Sequence, residues 1–381
     1  MKKTLLLALF AILLSCHPKP SVGGSGSADP ATTLSDDTIH FTPPKNIILM
    51  VGDGMGITEI SAGMYLNGNK SNLEQFEYIG LQKTYSNNNV VTDAAAAATA
   101  MACGKKTNNG YVGVDKRGKA MDNIFEEARQ KGFATGLVTT VSLTTATPAS
   151  FFAHRKSDAM TAQLASDLLK AEVSFFVGGG KKDFDKRLDG QDLIEQLKGS
   201  GYSIATYLDK GFQFKNIDPT KNFGYFTADA EPASKPQGRD YFLPACQAAT
   251  AYLSKRQDKG FFLLINSGQI GKGGQMNDSE YITSEMMEFD KAIGAVLDFA
   301  MQDKETLVIV TATQETGGYA INPTSSMDTI VAAFTSNENT AAFVPVFAKG
   351  PGQELFSGVF ENTSIYDKMR RALGFKQVVV Q

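Results

Sequence analysis

Histidine is almost missing from this chain. Among 381 residues there are three, His17, His40 and His154, with three cysteines, Cys16, Cys103 and Cys246, and no tryptophan. Zinc is held mainly by imidazole, thiolate and carboxylate. His17 and His40 precede the first strand-like segment, so only His154 lies well inside the folded part, and a centre with several imidazole ligands is excluded by count. An excess of charge is missing too. With 37 Lys and Arg against 40 Asp and Glu, and a net charge of −3, the chain carries no basic footprint for nucleic acid or an anionic membrane surface. No internal repeat and no linker-like stretch divides residues 45–381, so they read as one large domain. A hydrophobic fraction of 42% supplies its core.

One short apolar run stands apart. Lys2 and Lys3 precede residues 5–14, which are followed by Ser15-Cys16. A basic start and about ten apolar residues have the form of a secretory signal, and are too short to cross a bilayer as a helix. Leu13-Leu14-Ser15-Cys16 resembles a bacterial lipobox. That implies removal of residues 1–15 and a lipid on the Cys16 thiol; the alternative is an ordinary signal peptide with an incidental cysteine. Residues 16–44, rich in Gly, Ser, Pro and Thr, then read as a lipid-anchored flexible tether. The expected location is the bacterial cell envelope, on a membrane facing the periplasm or cell surface. In an exported chain Cys103 and Cys246 are free to form a disulfide, but each sits in an apolar helical context that suits a buried thiol equally well.

From Lys45 onward, apolar β-branched runs alternate with amphipathic stretches. Strands are expected near 46–51, 133–140, 173–177, 261–265, 306–310 and 343–347, and helices near 121–130, 159–170, 242–255 and 280–301. The alternation predicts an α/β fold, a mostly parallel central sheet with helices on both faces. In such sheets the site lies beyond the carboxyl ends of the strands.

The first strand runs into Val51-Gly52-Asp53-Gly54-Met55-Gly56. An Asp between glycines at a strand end suits a metal ligand, because glycine lets backbone and ligand approach closely; a Gly-rich turn whose Asp caps the next helix is an equal reading. Further on, Asp93-Ala94-Ala95-Ala96-Ala97-Ala98 combines a favoured N-cap with the best helix former.

Several blocks, in order, resemble the alkaline phosphatase family: residues 46–56, 91–115 with Gly104-Lys105-Lys106-Thr107, 139–154, 262–278, 308–318 and 344–358. The resemblance implies an alkaline-phosphatase-like fold and hydrolysis of phosphate monoesters through a phosphoserine. Two zinc ions and a magnesium ion serve that reaction, and an arginine fork grips the phosphate. Carried over position by position, the resemblance places Ala94 where the nucleophilic serine belongs. The family block Glu-Gly-Ser-Gln-Ile-Asp-Trp-Gly-Gly-His corresponds to Asn266 through Gln275, so the magnesium Glu becomes Asn266, a zinc Asp becomes Gly271 and a zinc His becomes Gln275. The Asp-His pair before an intact Glu315-Thr316-Gly317-Gly318 becomes Thr313-Gln314, and the last zinc His becomes Asn339. The phosphate clamp falls on Asp158, a reversal of charge, with Arg155 and Lys156 nearby but out of position. Asp53 and Thr147 remain as ligand positions, and Thr145 stands where relatives often carry His or Asp.

The expectation is therefore a catalytically inactive member of the family that binds a ligand or a protein and needs no cofactor. Asp53 and Thr147 could offer oxygen to a weakly held Mg²⁺ or Ca²⁺, and Lys272 is a candidate to neutralise Asp53. Family habit implies a homodimer or a pairing with an active relative; nucleic acid is not an expected partner. The alternative is a phosphoric monoester hydrolase with a relocated metal site or nucleophile, for which Thr92, Thr99 and Thr313 supply hydroxyls.

Overall fold

A computed structural model describes residues 41–210, 213–256 and 258–375. The signal segment, Cys16 with its lipid, His17, His40 and the tether as far as residue 40 lie outside the described residues.

The described residues form fourteen strands: β1 (Asn46–Gly52), β2 (Tyr78–Lys83), β3 (Ala134–Ser142), β4 (Phe175–Gly179), β5 (Ser203–Thr206), β6 (Phe223–Phe226), β7 (Phe261–Ser267), β8 (Thr306–Thr311), β9 (Glu315–Thr316), β10 (Tyr319–Ile321), β11 (Ala332–Phe334), β12 (Asn339–Thr340), β13 (Val344–Lys349) and β14 (Gly358–Glu361). Ten make one sheet in the order β14-β2-β13-β8-β1-β7-β3-β4-β6-β5. Every pairing in it is parallel except those of β13, which runs antiparallel to β2 and β8. The pairs β10-β11 and β12-β9 form two small sheets.

Burial explains the pattern. β1 lies between β7 and β8 and all seven of its residues are buried. A strand with no wet face carries apolar residues without alternation. Ile47, Leu49 and Val51 enter one core, and Ile48 and Met50 the opposite one. The first core is closed by helices Ala94–Cys103, Ile124–Gln130, Thr161–Ala171 and Ser364–Ala372. The second is closed by Ile57–Leu66, Phe242–Leu253 and the long Ser279–Asp303. Cys103 and Cys246 are free thiols in different cores, on opposite faces of the sheet.

The alanine run does form a helix. Asp93 caps it, its Oδ1 accepting from the Ala96 amide at 2.8 Å, and Gly104 ends it at φ +71°. Ala95 to Ala98 are at most 2% exposed. Side chains this small let the helix lie close against the short helix Ala146–Ala149 and against Ser364–Ala372.

Candidate functional site

Asp53 follows β1, Asn266 is the last residue but one of β7, Thr313 follows β8 and Thr147 follows β3. The four strands are neighbours, in the order β8-β1-β7-β3, so four strand ends deliver one side chain each to one point. Thr147 and Thr313 both donate to Asp53 Oδ1 at 2.9 Å, and the Asn266 amide nitrogen donates to Oδ2 at 3.1 Å. The same nitrogen reaches the Val51 carbonyl at 3.2 Å, while the Asn266 carbonyl oxygen accepts from Thr139 at 2.8 Å. Asp53 is buried, and burial pushes its carboxyl up to about 6 although all three donors pull it down.

The backbone is closed just as tightly here. The Gly271 amide donates to the Asp53 carbonyl at 2.7 Å. A Cβ on Gly54, which has φ +83°, would stand 2.3 Å from the Gly271 Cα. Only glycine meets both demands.

At the mouth of the alanine helix, Ala94 is half-buried. Both oxygens of Asp93 are taken by backbone amides, those of Ala96 and Gly110. Burial raises its pKa, and the charge of Asp158 adds to the rise. Asn339 donates to the Thr92 carbonyl at 3.0 Å and accepts from Thr316 at 2.9 Å, which ties the β12-β9 pair to the segment ahead of the alanine helix. Gln314 is buried, and its Oε1 finds no partner among the described residues. Gln275 ends the helix Ile270–Gln275 and is exposed.

Beside this point opens a cavity of about 430 Å³ lined by Thr145, Ala146, Asp158, Lys182, Asp183 and Glu231, among others. Asp183 accepts from Thr144 at 2.6 Å and from Thr161 at 3.2 Å. Glu231 accepts from Thr145 at 3.1 Å. Lys272 also reaches Glu231, at 2.9 Å, and this corrects its expected role: the hydrogen bonds of Asp53 come from three neutral groups instead. Neither neighbouring cation takes the clamp position. Arg155 pairs with Asp167 at 2.5 Å, and Lys156 lies over Gly118. His154 donates through Nδ1 to the Gly113 carbonyl at 2.8 Å and pairs with Glu126 at 2.9 Å. Burial lowers its pKa, but these two partners outweigh it and raise the pKa overall. The imidazole thus belongs to the scaffold.

A family model for alkaline phosphatase matches residues 44–333. This chain belongs to the alkaline phosphatase family. It is 37% identical over 315 residues to alkaline phosphatase 3 of Bacillus subtilis, covering 78% of this chain and 66% of that protein. It is 36% identical over 318 residues to alkaline phosphatase 4 of the same organism, covering 79% and 68%. The chain therefore spans about two thirds of the length of these relatives. Among solved structures, the alkaline phosphatase of the Antarctic bacterium TAB5 superposes with a TM-score of 0.84 at 37% identity, covering 89% of this chain and all of that one.

The family's metals can be tested against the groups present. Among the described residues no cluster of three or more His, Cys, Asp or Glu is placed to hold a metal ion. Asn266 turns its NH₂, a donor, toward Asp53, and the two threonine hydroxyls spend their protons there. Metals need acceptor oxygens, nitrogens or thiolates aimed at them, so the set does not fit zinc or magnesium. Thr147, expected to share a hard cation with Asp53, is hydrogen-bonded to it directly. Glu231 and Asp183 were not foreseen; Glu231 lies in a loop and Asp183 in the four-residue helix Lys182–Asp185, and no motif marks them.

Proposed function

We propose that this member of the alkaline phosphatase family is not a phosphatase but a lipid-anchored envelope protein that binds a ligand or partner at the former active site. Ala94 carries the reading: the helix start that should present a nucleophile has no oxygen to present. Loss of a nucleophile alone costs on the order of 10⁴–10⁶ in rate, judged from protease triads. The charges around the cavity point the same way. Asp158, Asp183 and Glu231 outnumber Lys182 on its wall, which disfavours a phosphate dianion and suits a neutral polyhydroxyl or cationic ligand. Self-association or pairing with an active relative belongs to the same reading.

The names of the relatives at 36–37% identity favour a second reading, a phosphoric monoester hydrolase with relocated chemistry. The hydroxyls available to it are enclosed: Thr92, Thr99 and Thr313 are each no more than 1% exposed. Turnover of a chromogenic phosphate ester, measured alongside zinc content, decides between the two. A rate above about 1 s⁻¹, ordinary for an enzyme, overturns the non-catalytic reading.

A further inference from the structure

We infer that the Asp53 carboxylate has exchanged a metal ion for a knot of neutral hydrogen-bond donors, so that this fold closes and holds without any divalent cation. The inference extends the non-catalytic reading to how the vacated centre is held together.

A buried carboxylate with nothing beside it is costly. A cation is one remedy; a full set of hydrogen bonds is another. Here the second is complete. Thr147, Thr313 and Asn266 supply three donors to two oxygens, and Thr139 fixes the Asn266 amide so that its NH₂ faces Asp53. The donors come from the ends of β3, β8 and β7, so the knot ties three strands to β1. The space is closed as well. Gly271 lies backbone to backbone on Asp53 and Gly54, and a Cβ there would stand 3.1 Å from the Asp53 carbonyl oxygen. A side chain at that position fits only if the Asp53 backbone gives by a few tenths of an ångström.

The test uses the purified full chain and its melting temperature, after exhaustive chelation and again with added Zn²⁺ or Mg²⁺. The expected result is one melting temperature in all three conditions. Thr313→Val and Asn266→Leu should each lower it equally with and without cation, and Thr313→Ser, which keeps the donor, should restore it. A loss on chelation that zinc or magnesium reverses overturns the inference, as does an unchanged melting temperature in both donor variants. The chelation arm needs no variant to fold. A cation-dependent melt without turnover sinks the knot but spares the non-catalytic reading; phosphatase turnover in chelated protein does the opposite.

Discussion

The amide of Gly271 sits 2.7 Å from the carbonyl oxygen of Asp53, in the place where the family resemblance calls for a zinc-binding aspartate. The contact makes the loss hard to reverse. A side chain at 271 begins 3.1 Å from that oxygen, and overpacking of this kind costs about 1–3 kcal/mol. Gly271→Asp should therefore lower stability by that order in urea titrations. It should bring no bound zinc with it, because Asn266, Thr313, Gln314 and Gln275 still offer no imidazole or carboxylate. Stoichiometric zinc in the purified variant would show that the loop yields more easily than this packing implies.

Ala94→Ser should restore no measurable phosphatase activity. A serine hydroxyl needs activation by a base or a metal, and the carboxylate adjacent in sequence, Asp93, has both oxygens occupied by the amides of Ala96 and Gly110. Stability should move by no more than about 0.5 kcal/mol, the difference in helix propensity. A clear gain in turnover from this one substitution would reveal a metal site that the arrangement around Asp53 conceals.

Stability should fall as pH rises. The side chains of Glu59 and Glu315 meet over Gly56, whose added Cβ would strike both, and the Gly56 amide donates to Glu59 at 3.0 Å. Burial first, then the charge of Glu315, push Glu59 from 4.5 up to about 9. The folded chain keeps a proton that the unfolded chain releases near 4.5. The stability tied to it is complete below that pH and is lost progressively as pH climbs toward about 9. Burial moves Asp53 the same way, from 3.8 to about 6. Melting temperature should thus decline from about pH 5 to 9, and Glu59→Gln, which needs no proton, should flatten the decline. Each pKa unit realised is worth about 1.4 kcal/mol, roughly 2 °C or more in a large domain. A flat profile in the unmodified chain would show that the pair is not protonated.

What could be read from the chain followed burial. β1, β3, β7 and β8 are enclosed on both faces, so their apolar runs announce them, and Asp53 and Asn266 come into view at their ends. β4 forms two residues later than its apolar run suggests, at Phe175–Gly179. β2, β5 and β14 lie toward the sheet edges with half-exposed residues, and no such run marks them. β13 was visible as a strand, but its antiparallel direction was not, because direction depends on the partners and not on composition. Asn266 could be read as a lost ligand, yet not as a donor, since only Thr139 decides which end of its amide faces Asp53. Lys272 shows the same limit: nothing in the spacing places Glu231 beside it.

Two lysine or arginine substitutions should separate surface charge from buried charge. The Lys272–Glu231 pair is partly solvated, with 36% and 42% of the side chains exposed. Screening holds such pairs to about 0–1 kcal/mol, so Lys272→Met should leave the melting temperature nearly unchanged, and Asp53 with it. Arg239 is different. It is 3% exposed and bridges Glu285 and Glu288 on the long helix Ser279–Asp303, with its Nε 2.9 Å from Glu288. Removing it takes a cation from two buried carboxylates, which keep only Lys235, its amide 2.8 Å from Glu285 and its Nζ 3.1 Å from Glu288, and breaking a buried pair costs up to about 3–5 kcal/mol. Arg239→Met should lower the melting temperature by many degrees, and Glu285→Gln with Glu288→Gln in the same chain should recover part of the loss, because the stranded charges are then gone. Equal effects of Lys272→Met and Arg239→Met in calorimetry would mean that burial does not set the strength of these pairs in this protein.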